Sequence, residues 1–448
     1  MKRQAATNRG LARRAHDLRL GQVADEREQK YVDHPLPVVL TAVISAMASD
    51  APGLRGAETR TDQIAAKHED GWQGIAQRIA DNTIGAVLRR LETRDLVECL
   101  HRMAKAEHRR GNLSPVVLPV RTASIDGKNT ATLRWHDLCR LAGVDKQQAS
   151  VEDIKEFFRK NFPQVQVCAP RDGEPYGLIR SHTVTLVSSL AAYGLHIRNI
   201  PGATNEIGAL TETLRELHNA YGRTDIIEMV TTDAGNTSLP TNTLIVKTYK
   251  WDYYSQIKSE HGSIYTEATR ALGGQSGDAA EATHTERRAG KDVTYHIWRC
   301  DLTSTGWLDW WHARGLIRVQ RITVDTDTGE TTVGNRYYVC SRNIADIEAG
   351  ECLLLSRKHW RCENETHWTD DAIFREDIRR LRWSRHPVGI MAAAVLRMMC
   401  VSILAIVRSL SRIGHCKDKP TWKQVMEHFL LSLCGSVLQT GAFDADPA

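Results

Sequence analysis

The sequence predicts an α/β protein, with an all-helical region before a mixed sheet and a β-rich segment inserted into that sheet. Three observations support this prediction. Residues 35–112 carry apolar side chains at helical spacing. Residues 113–258 contain runs of β-branched and aromatic residues around one amphipathic helix, and residues 259–345 alternate apolar and polar side chains between turn signals. Residues 346–440 return to helical patterns and are expected to complete the core.

Composition permits a large core and disfavours several classes of protein. The chain has 448 residues, of which 42% are hydrophobic and 25% charged, as in ordinary globular proteins. Its ten cysteines form no C-x-x-C pair, which argues against a zinc ribbon and favours free thiols in a reducing compartment. No apolar segment follows the basic N-terminus as a signal peptide would require. The most apolar stretch, 388–410, is interrupted by Arg397 and Arg408, so we predict a buried helix there.

The N-terminal part is predicted to contact nucleic acid. Residues 1–34 form a basic arm, with six Lys or Arg and one Asp in the first twenty positions, although a solvated tail is the alternative. In residues 35–112, Asp81 is a predicted N-cap before apolar residues at helical spacing. Short helices ending in an Arg-rich helix are typical of a helix-turn-helix, and a plain helical bundle remains the other interpretation.

The next segment predicts a ribonuclease-H-like core. "PVVLPVRTASIDGK" predicts a strand ending at Asp126, and "SHTVTLVSSLAAYG" and "LHIRNIP" predict two more. An amphipathic helix over 205–222 leads to a fourth strand ending at Asp233 and a fifth at 252–258. Three strands, a helix and two further strands is the order of elements in ribonuclease-H-like folds. In that arrangement the first and fourth strands are neighbours, so Asp126 and Asp233 are expected to lie together.

A third acidic residue comes from the stretch "RKHWRCENETHWTDD". A helix over 347–368 would place His359, Glu363 and His367 on one face. The spacing of the histidines superficially suggests a metal cluster, but it is not the H-E-x-x-H arrangement. Two Mg²⁺ ions at a phosphodiester need oxygen ligands from separate elements. Asp126, Asp233 and Glu363 satisfy that requirement.

Residues 34–438 resemble bacterial insertion-sequence DDE transposases of the H-repeat-associated type. The matches include "SIDGK", "VTTDAG", "GNRYYVCS" and the R-x-H-W-x-x-E-N-x-x-H-W run from Arg357 to Trp368. The resemblance implies that Asp126, Asp233 and Glu363 are the catalytic and metal-binding triad. It also implies two Mg²⁺ or Mn²⁺ ions, double-stranded DNA as partner, a homodimer in the synaptic complex, and a bacterial cytoplasmic location at the nucleoid.

Two family motifs differ in this chain. Lys128 is followed by "NTATLR" where relatives usually continue directly with Thr-Leu-Arg, and Asp233 by "AGNTS" where relatives carry Met-Gly-Cys-Gln after Asp-Ala. Lys258 lacks the usual nearby Asn-Gln.

Several residues near the predicted triad are expected to contact DNA. These are Lys128, Lys258, Arg357, His359, Trp360, Arg361 and His367. A solvated turn is the alternative for Lys128, and core packing is the alternative to base stacking for Trp360 and Trp368. Further acidic residues, Asp371, Glu376 and Asp377, are expected to pair with Arg379, Arg380 and Arg382.

The predicted function is metal-dependent cleavage at transposon ends followed by strand transfer into target DNA. Two other interpretations remain: a metal-dependent nuclease that does not join strands, and a domesticated, catalytically silent DNA-binding protein.

Overall fold

A computed structural model describes residues 13–14, 16–68, 71–302, 307–376, 382–410 and 420–434. Within these residues, the helices of eight or more residues are α1 (Leu36–Ala48), α2 (Leu54–Lys67), α3 (Asp81–Leu88), α4 (Thr93–Arg109), α5 (Trp135–Ala142), α6 (Val151–Asn161), α7 (Glu206–Tyr221), α8 (Leu239–Lys247), α9 (Ser263–Leu272), α10 (Ala349–Lys358), α11 (Pro387–Leu410) and α12 (Trp422–Cys434).

The strands form one mixed sheet. They are β1 (Thr122–Arg134), β2 (Val165–Cys168), β3 (Tyr176–Leu186), β4 (Tyr193–Ile200), β5 (Met229–Thr232), β6 (Asp252–Ile257), β7 (Ala282–Arg288), β8 (Lys291–Asp301), β9 (Gly315–Asp325) and β10 (Thr331–Cys340). Their spatial order is β2-β3-β1-β5-β6-β10-β9-β8-β7, and β4 pairs with the same edge of β3 as β2. The predicted mixed α/β architecture is therefore present.

The N-terminal helices pack as a bundle around α11. α11 contacts α1, α3, α4 and β4, and α12 contacts α2 and α11. The predicted N-cap at Asp81 is wrong: Asp81 is the first residue of α3, because the extended residue is Ala80. The Asp81 carboxylate lies in the first turn of α3, where negative charge interacts favourably with the helix dipole.

The five strands around β1 have the order β4-β3-β1-β5-β6. β1 pairs antiparallel with β3, whereas β1–β5 and β5–β6 pair parallel. The expected end of the first strand at Asp126 is wrong. The strand begins at Thr122 and continues through Gly127 to Arg134, because β3 is long enough to pair with it throughout. β2, which has only four residues, was not predicted.

The β-rich segment continues the same sheet. β10 pairs antiparallel with β6, then with β9, and β8 and β7 follow outward. A turn at Thr328 and Gly329, one of the turn signals within residues 259–345, connects β9 to β10, and Gly329 adopts a φ of 71° that glycine accepts without steric cost. α9 precedes these strands, so the inserted segment is not β-structure alone.

The predicted helix over 347–368 is only partly α-helical. α10 ends at Lys358, and π-helical turns follow at Cys362–His367 and Thr369–Ile373. The amide of Phe374 donates to the carbonyl of Thr369, five residues earlier. His359 and His367 are buried whereas Glu363 is exposed, so the three side chains do not share one face as a continuous α-helix would predict.

Among the described residues, one helix, α11, has the length and apolar composition that crossing a membrane requires. Its most apolar window is wholly buried inside the molecule. The prediction of a buried helix at 388–410 is therefore confirmed, and α11 forms the centre of the helical bundle.

Candidate active site

Asp126 and Asp233 follow directly paired residues of two parallel strands. Ile125 of β1 pairs with Thr232 of β5, which brings the next residue of each strand to the same place on the sheet. Asp233 ends β5 and caps a short 3₁₀ helix, accepting a hydrogen bond from the Asn236 amide at 3.0 Å. The expected proximity of the two aspartates is present.

Glu363 approaches the same place from the first π-helical turn. The side chain is accessible to solvent, but partial desolvation by its neighbours and, second, repulsion from Asp233 raise its pKa. Burial raises the pKa of Asp126 to about 7, with further contributions from Glu363, Asp233 and Glu206. The three predicted carboxylates are thus close enough to repel one another. Within the described residues, however, no group of three or more His, Cys, Asp or Glu side chains is arranged to hold a metal ion.

Glu206 is a fourth carboxylate that the sequence interpretation did not include. It is the first residue of α7, directly after Asn205, whose side chain caps the helix. A Cβ on Gly127 would meet the Glu206 carboxyl group, so glycine at position 127 leaves room for this side chain beside β1. The signal in the sequence was the capped "NEI" start of a helix after a strand.

His359 is buried against both central strands. Its Nδ1 lies 3.0 Å from Ser124 Oγ on β1 and 3.0 Å from Thr231 Oγ1 on β5. Burial lowers the pKa of His359 to about 4, so the ring is neutral near pH 7. His359 therefore fixes the end of α10 to the sheet rather than presenting a charge to solvent.

His367 lies beside Asp126. Its Nε2 is 2.6 Å from Thr183 Oγ1 on β3, and its Nδ1 is 3.5 Å from Asp126 Oδ2. Burial, assisted by the nearby Lys128 cation, lowers the pKa of His367 to about 3. The contact with Asp126 is therefore made by a neutral imidazole and is not an ion pair.

Lys128 is enclosed by acidic residues. Its Nζ lies 3.3 Å from Asp370 Oδ2 and 3.6 Å from Asp371 Oδ1, and it also pairs with Glu376. Burial disfavours the Lys128 cation, but Asp370 and Glu376 outweigh burial and raise its pKa. Glu376 is shared with Arg397 of α11.

This cluster gives two carboxylates a partner that the sequence interpretation did not include. Asp371 and Glu376 both pair with Lys128. Asp377, Arg379 and Arg380 lie outside the described residues.

The cations of the "RKHWR" stretch also have protein partners. Arg361 is buried and donates to the carbonyls of Val187 and Ser189 at 2.6 and 2.7 Å. Arg357 donates twice to Glu286, each at 2.9 Å, and its guanidinium lies 5.0 Å from the centre of the Tyr295 ring. Arg361 thus connects the residues after α10 to the segment that follows β3. Arg357 connects α10 to β7 and β8.

A groove of about 1060 Å³ extends from α10 and the π-helical turn after it across β8, β9 and β10. The half-buried Trp360 lies under the Arg336 guanidinium, whose centre is 5.1 Å from the ring, and Trp368 is 53% exposed at the same surface. The groove also contains cationic residues from the insertion that were not singled out individually from the sequence, namely Arg288, Arg321 and Arg336. Lys258, just after β6, is exposed.

No protein-family model matches the chain, and no curated protein matches it. Among solved structures, the chain is similar to the cryo-EM structure of the piggyBac transposase synaptic complex with hairpin DNA. The sequence identity is 12%, the match covers 94% of this chain and 76% of that chain, and the TM-score is 0.37. A TM-score of 0.37 is too low to support a conclusion about this chain. The resemblance to H-repeat-associated transposases therefore remains a prediction.

Proposed function

We propose that this chain is a DDE-type DNA transposase with a ribonuclease-H-like catalytic core. The observation that carries the proposal is the parallel pairing of β1 with β5, which brings Asp126 beside Asp233 while Glu363 is close enough to raise the pKa of Asp126. The strand order β4-β3-β1-β5-β6, with only β1, β5 and β6 parallel, supports the assignment of the fold.

Asp126, Asp233 and Glu363 are the residues that would hold Mg²⁺ or Mn²⁺. Their carboxylate oxygens are the ligands these ions prefer, and they come from three separate elements. Mutual repulsion among them supports a site that accepts positive charge, and bound divalent ions would supply electrostatic stabilisation of the reacting phosphate. Two ions are expected.

The surrounding residues hold these carboxylates in place. His359 fixes the start of the π-helical segment to β1 and β5, and His367 contacts Asp126 without adding charge. Arg336, which lies near Glu363 and over Trp360, is placed to bind a phosphate of DNA entering the site.

The reaction has two steps. The oxygen of a water molecule attacks the phosphorus at the transposon end, and cleavage of the bond to the 3′-oxygen releases a 3′-hydroxyl. That hydroxyl then attacks a phosphodiester of the target, forming a new bond to phosphorus as the target's own 3′-oxygen leaves. The N-terminal helices and basic arm would recognise the transposon ends. Because two ends must be brought together, the active form on DNA would be a homodimer. The proposed location is the bacterial cytoplasm.

Cleavage of DNA carrying the sequences that flank the coding region tests this proposal. The wild-type chain is compared with Glu363→Gln in Mg²⁺ and in Mn²⁺. Cutting by the wild type alone is the expected result, and joined products must appear when target DNA is added. Equal cutting by both proteins would overturn the assignment of Glu363.

A silent DNA-binding protein is the second candidate. The altered residues after Asp126 and Asp233 favour it. Binding of the flanking DNA without cutting in either metal would support this candidate. Cutting without joined products would instead indicate a nuclease.

A further inference from the structure

A second cleft lies at the β4 edge of the sheet, two strands away from β1. Its volume is about 710 Å³, and its walls come from α4 on one side and from β4 and α7 on the other. Met391 and Val395 of α11 also line the cleft. None of Asp126, Asp233 and Glu363 lines this cleft.

One face of α4 supplies a row of cations to the cleft. The opposite face of α4 is apolar and buried, with Leu96, Leu100 and Met103 in the core. Arg94, Arg102, Lys105 and Arg109 occur at intervals of eight, three and four residues, so they follow one side of the helix. At about 1.5 Å per residue, the row from Arg94 to Arg109 is about 22 Å long.

Positive charge exceeds negative charge in the cleft. The lining contains two carboxylates, Glu98 and Glu216, and five cations, Arg94, Arg102, Lys105, Arg198 and Arg215. Glu98 lies 3.6 Å from Arg94, and Glu216 lies 3.0 Å from Arg198.

Arg102 and Lys105 are different from the other cations. Arg102 donates to Cys99 Sγ at 3.0 Å, and Lys105 lies 6.0 Å from the centre of the Tyr221 ring. Neither is within ion-pair distance of a carboxylate among the described residues. The Nε of Arg102 is buried and has no hydrogen-bond partner there.

The same two residues line an adjoining cavity of about 260 Å³. That cavity is also lined by Arg109 of the row, by the exposed Arg19 from outside α4 and by one carboxylate, Asp17. Arg102 and Lys105 thus line both the cleft and this cavity. A site for a single small anion would gather its donors around one point, whereas these cations extend along a line. Phosphates of a DNA strand recur about every 3.4 Å of helix axis, which suits a linear row of cations.

We propose that this cleft binds the phosphate backbone of duplex DNA, independently of base sequence, at a site separate from the carboxylates. The inference rests on the proposed function, because α4 is one of the N-terminal helices assigned there to DNA, and it specifies the surface and the kind of contact. A protein that cuts one duplex and joins it to another must hold two duplexes, and the cleft offers a second place to hold one.

Binding of a 20-base-pair duplex of arbitrary sequence, measured by fluorescence anisotropy in EDTA over a range of salt concentrations, tests the proposal. The double variant Arg102→Glu/Lys105→Glu is compared with the wild type. Lys160→Glu/Arg171→Glu is the matched control, because these are two exposed cations on α6 and a loop outside both clefts. Arg336→Ala reports separately on the groove beside Glu363.

The double variant should bind about tenfold or more weakly, and its logarithmic salt slope should be smaller by about two, one for each lost phosphate contact. The control should bind within twofold of the wild type. If the double variant fails to fold, as judged by circular dichroism, Lys105→Ala should still reduce the salt slope by about one.

Two results would overturn the inference. The first is a double variant whose affinity and salt slope match those of the wild type. A control variant that loses as much DNA affinity as the double variant would count in the same way. The other is a site specific for a small anion: inorganic pyrophosphate would bind the wild type but not the double variant, while DNA binding stays the same. Because EDTA prevents metal-dependent cleavage, failure of the proposed catalytic function would leave this measurement interpretable.

Discussion

Lys128, two residues after Asp126 on β1, is paired with Glu376, which follows the π-helical segment that carries Glu363. The pair joins two parts of the candidate site that are far apart in the sequence. Glu376 also pairs with Arg397, so the same carboxylate links β1 to the central helix α11.

Replacing Lys128 by methionine should destabilise the protein by about 3–5 kcal/mol, because Asp370 and Glu376 would lose a buried cationic partner. Urea denaturation of Lys128→Met and wild type at pH 7.5 measures the change. Lys160→Met, at an exposed position, should stay within about 0.5 kcal/mol of the wild type. A Lys128 variant as stable as the wild type would contradict the buried ion cluster.

Replacing Asp126 by asparagine should stabilise the metal-free protein at pH 8. The pKa of Asp126 is raised from 3.8 to about 7 on folding, so the native carboxyl retains a proton that the unfolded one has lost, and stability falls as pH rises through that window. The gain from Asp126→Asn should be about 4 kcal/mol at pH 8, since one pKa unit corresponds to about 1.4 kcal/mol, and below about 1 kcal/mol at pH 4. Urea denaturation in EDTA at both pH values provides the comparison, and a gain that does not depend on pH would exclude this cause.

Addition of Mg²⁺ or Mn²⁺ should raise the thermal midpoint of the wild type. A ligand that binds only the folded protein stabilises it by about 2.7 kcal/mol at one hundred times its dissociation constant. Asp233→Asn and Glu363→Gln should each reduce this effect, since each removes a ligand from the proposed site. Differential scanning fluorimetry with each metal tests this, with the exposed Glu330→Gln as the control. An equal metal response in all four proteins would place metal binding elsewhere.

Arg361 and Arg336 should respond differently to substitution. Arg361→Met leaves the carbonyls of Val187 and Ser189 without their donor and should cost about 2–4 kcal/mol of stability. Arg336→Ala removes an exposed cation at the groove, so it should change stability by less than about 0.5 kcal/mol. It should also weaken DNA binding severalfold and reduce the salt slope by about one. Denaturation and anisotropy on both variants separate the two roles, and the reverse pattern would refute them.

The sequence predicts the order of the central elements well, because each has a strong local pattern. The apolar runs that became β4 and β5 and the capped helix α7 are visible without any tertiary information. Once the order was known, the proximity of Asp126 and Asp233 followed from the topology. Glu363 was selected through a family resemblance, since an exposed glutamate on a helix has no distinctive local pattern.

The partners of the cations were not predictable in the same way. Lys128, His359 and Arg361 have charge and donors suited to phosphates, but each also contacts residues more than a hundred positions away. The π-helical turns were also missed, because a sequence with helical spacing does not reveal where the hydrogen bonds lengthen to five residues. β1 was predicted too short because its extension beyond Asp126 depends on pairing with β3.

Continuity of the sheet from β5 through β6 to β10 has a mechanical consequence. The inserted strands and the strand that leads into Asp233 belong to one hydrogen-bonded network, so they cannot hinge independently of each other. The groove beside Glu363 is therefore held in one orientation relative to the aspartates by the hydrogen bonds of the sheet. Under the proposed function, a DNA duplex bound there would adjust its own shape to this surface.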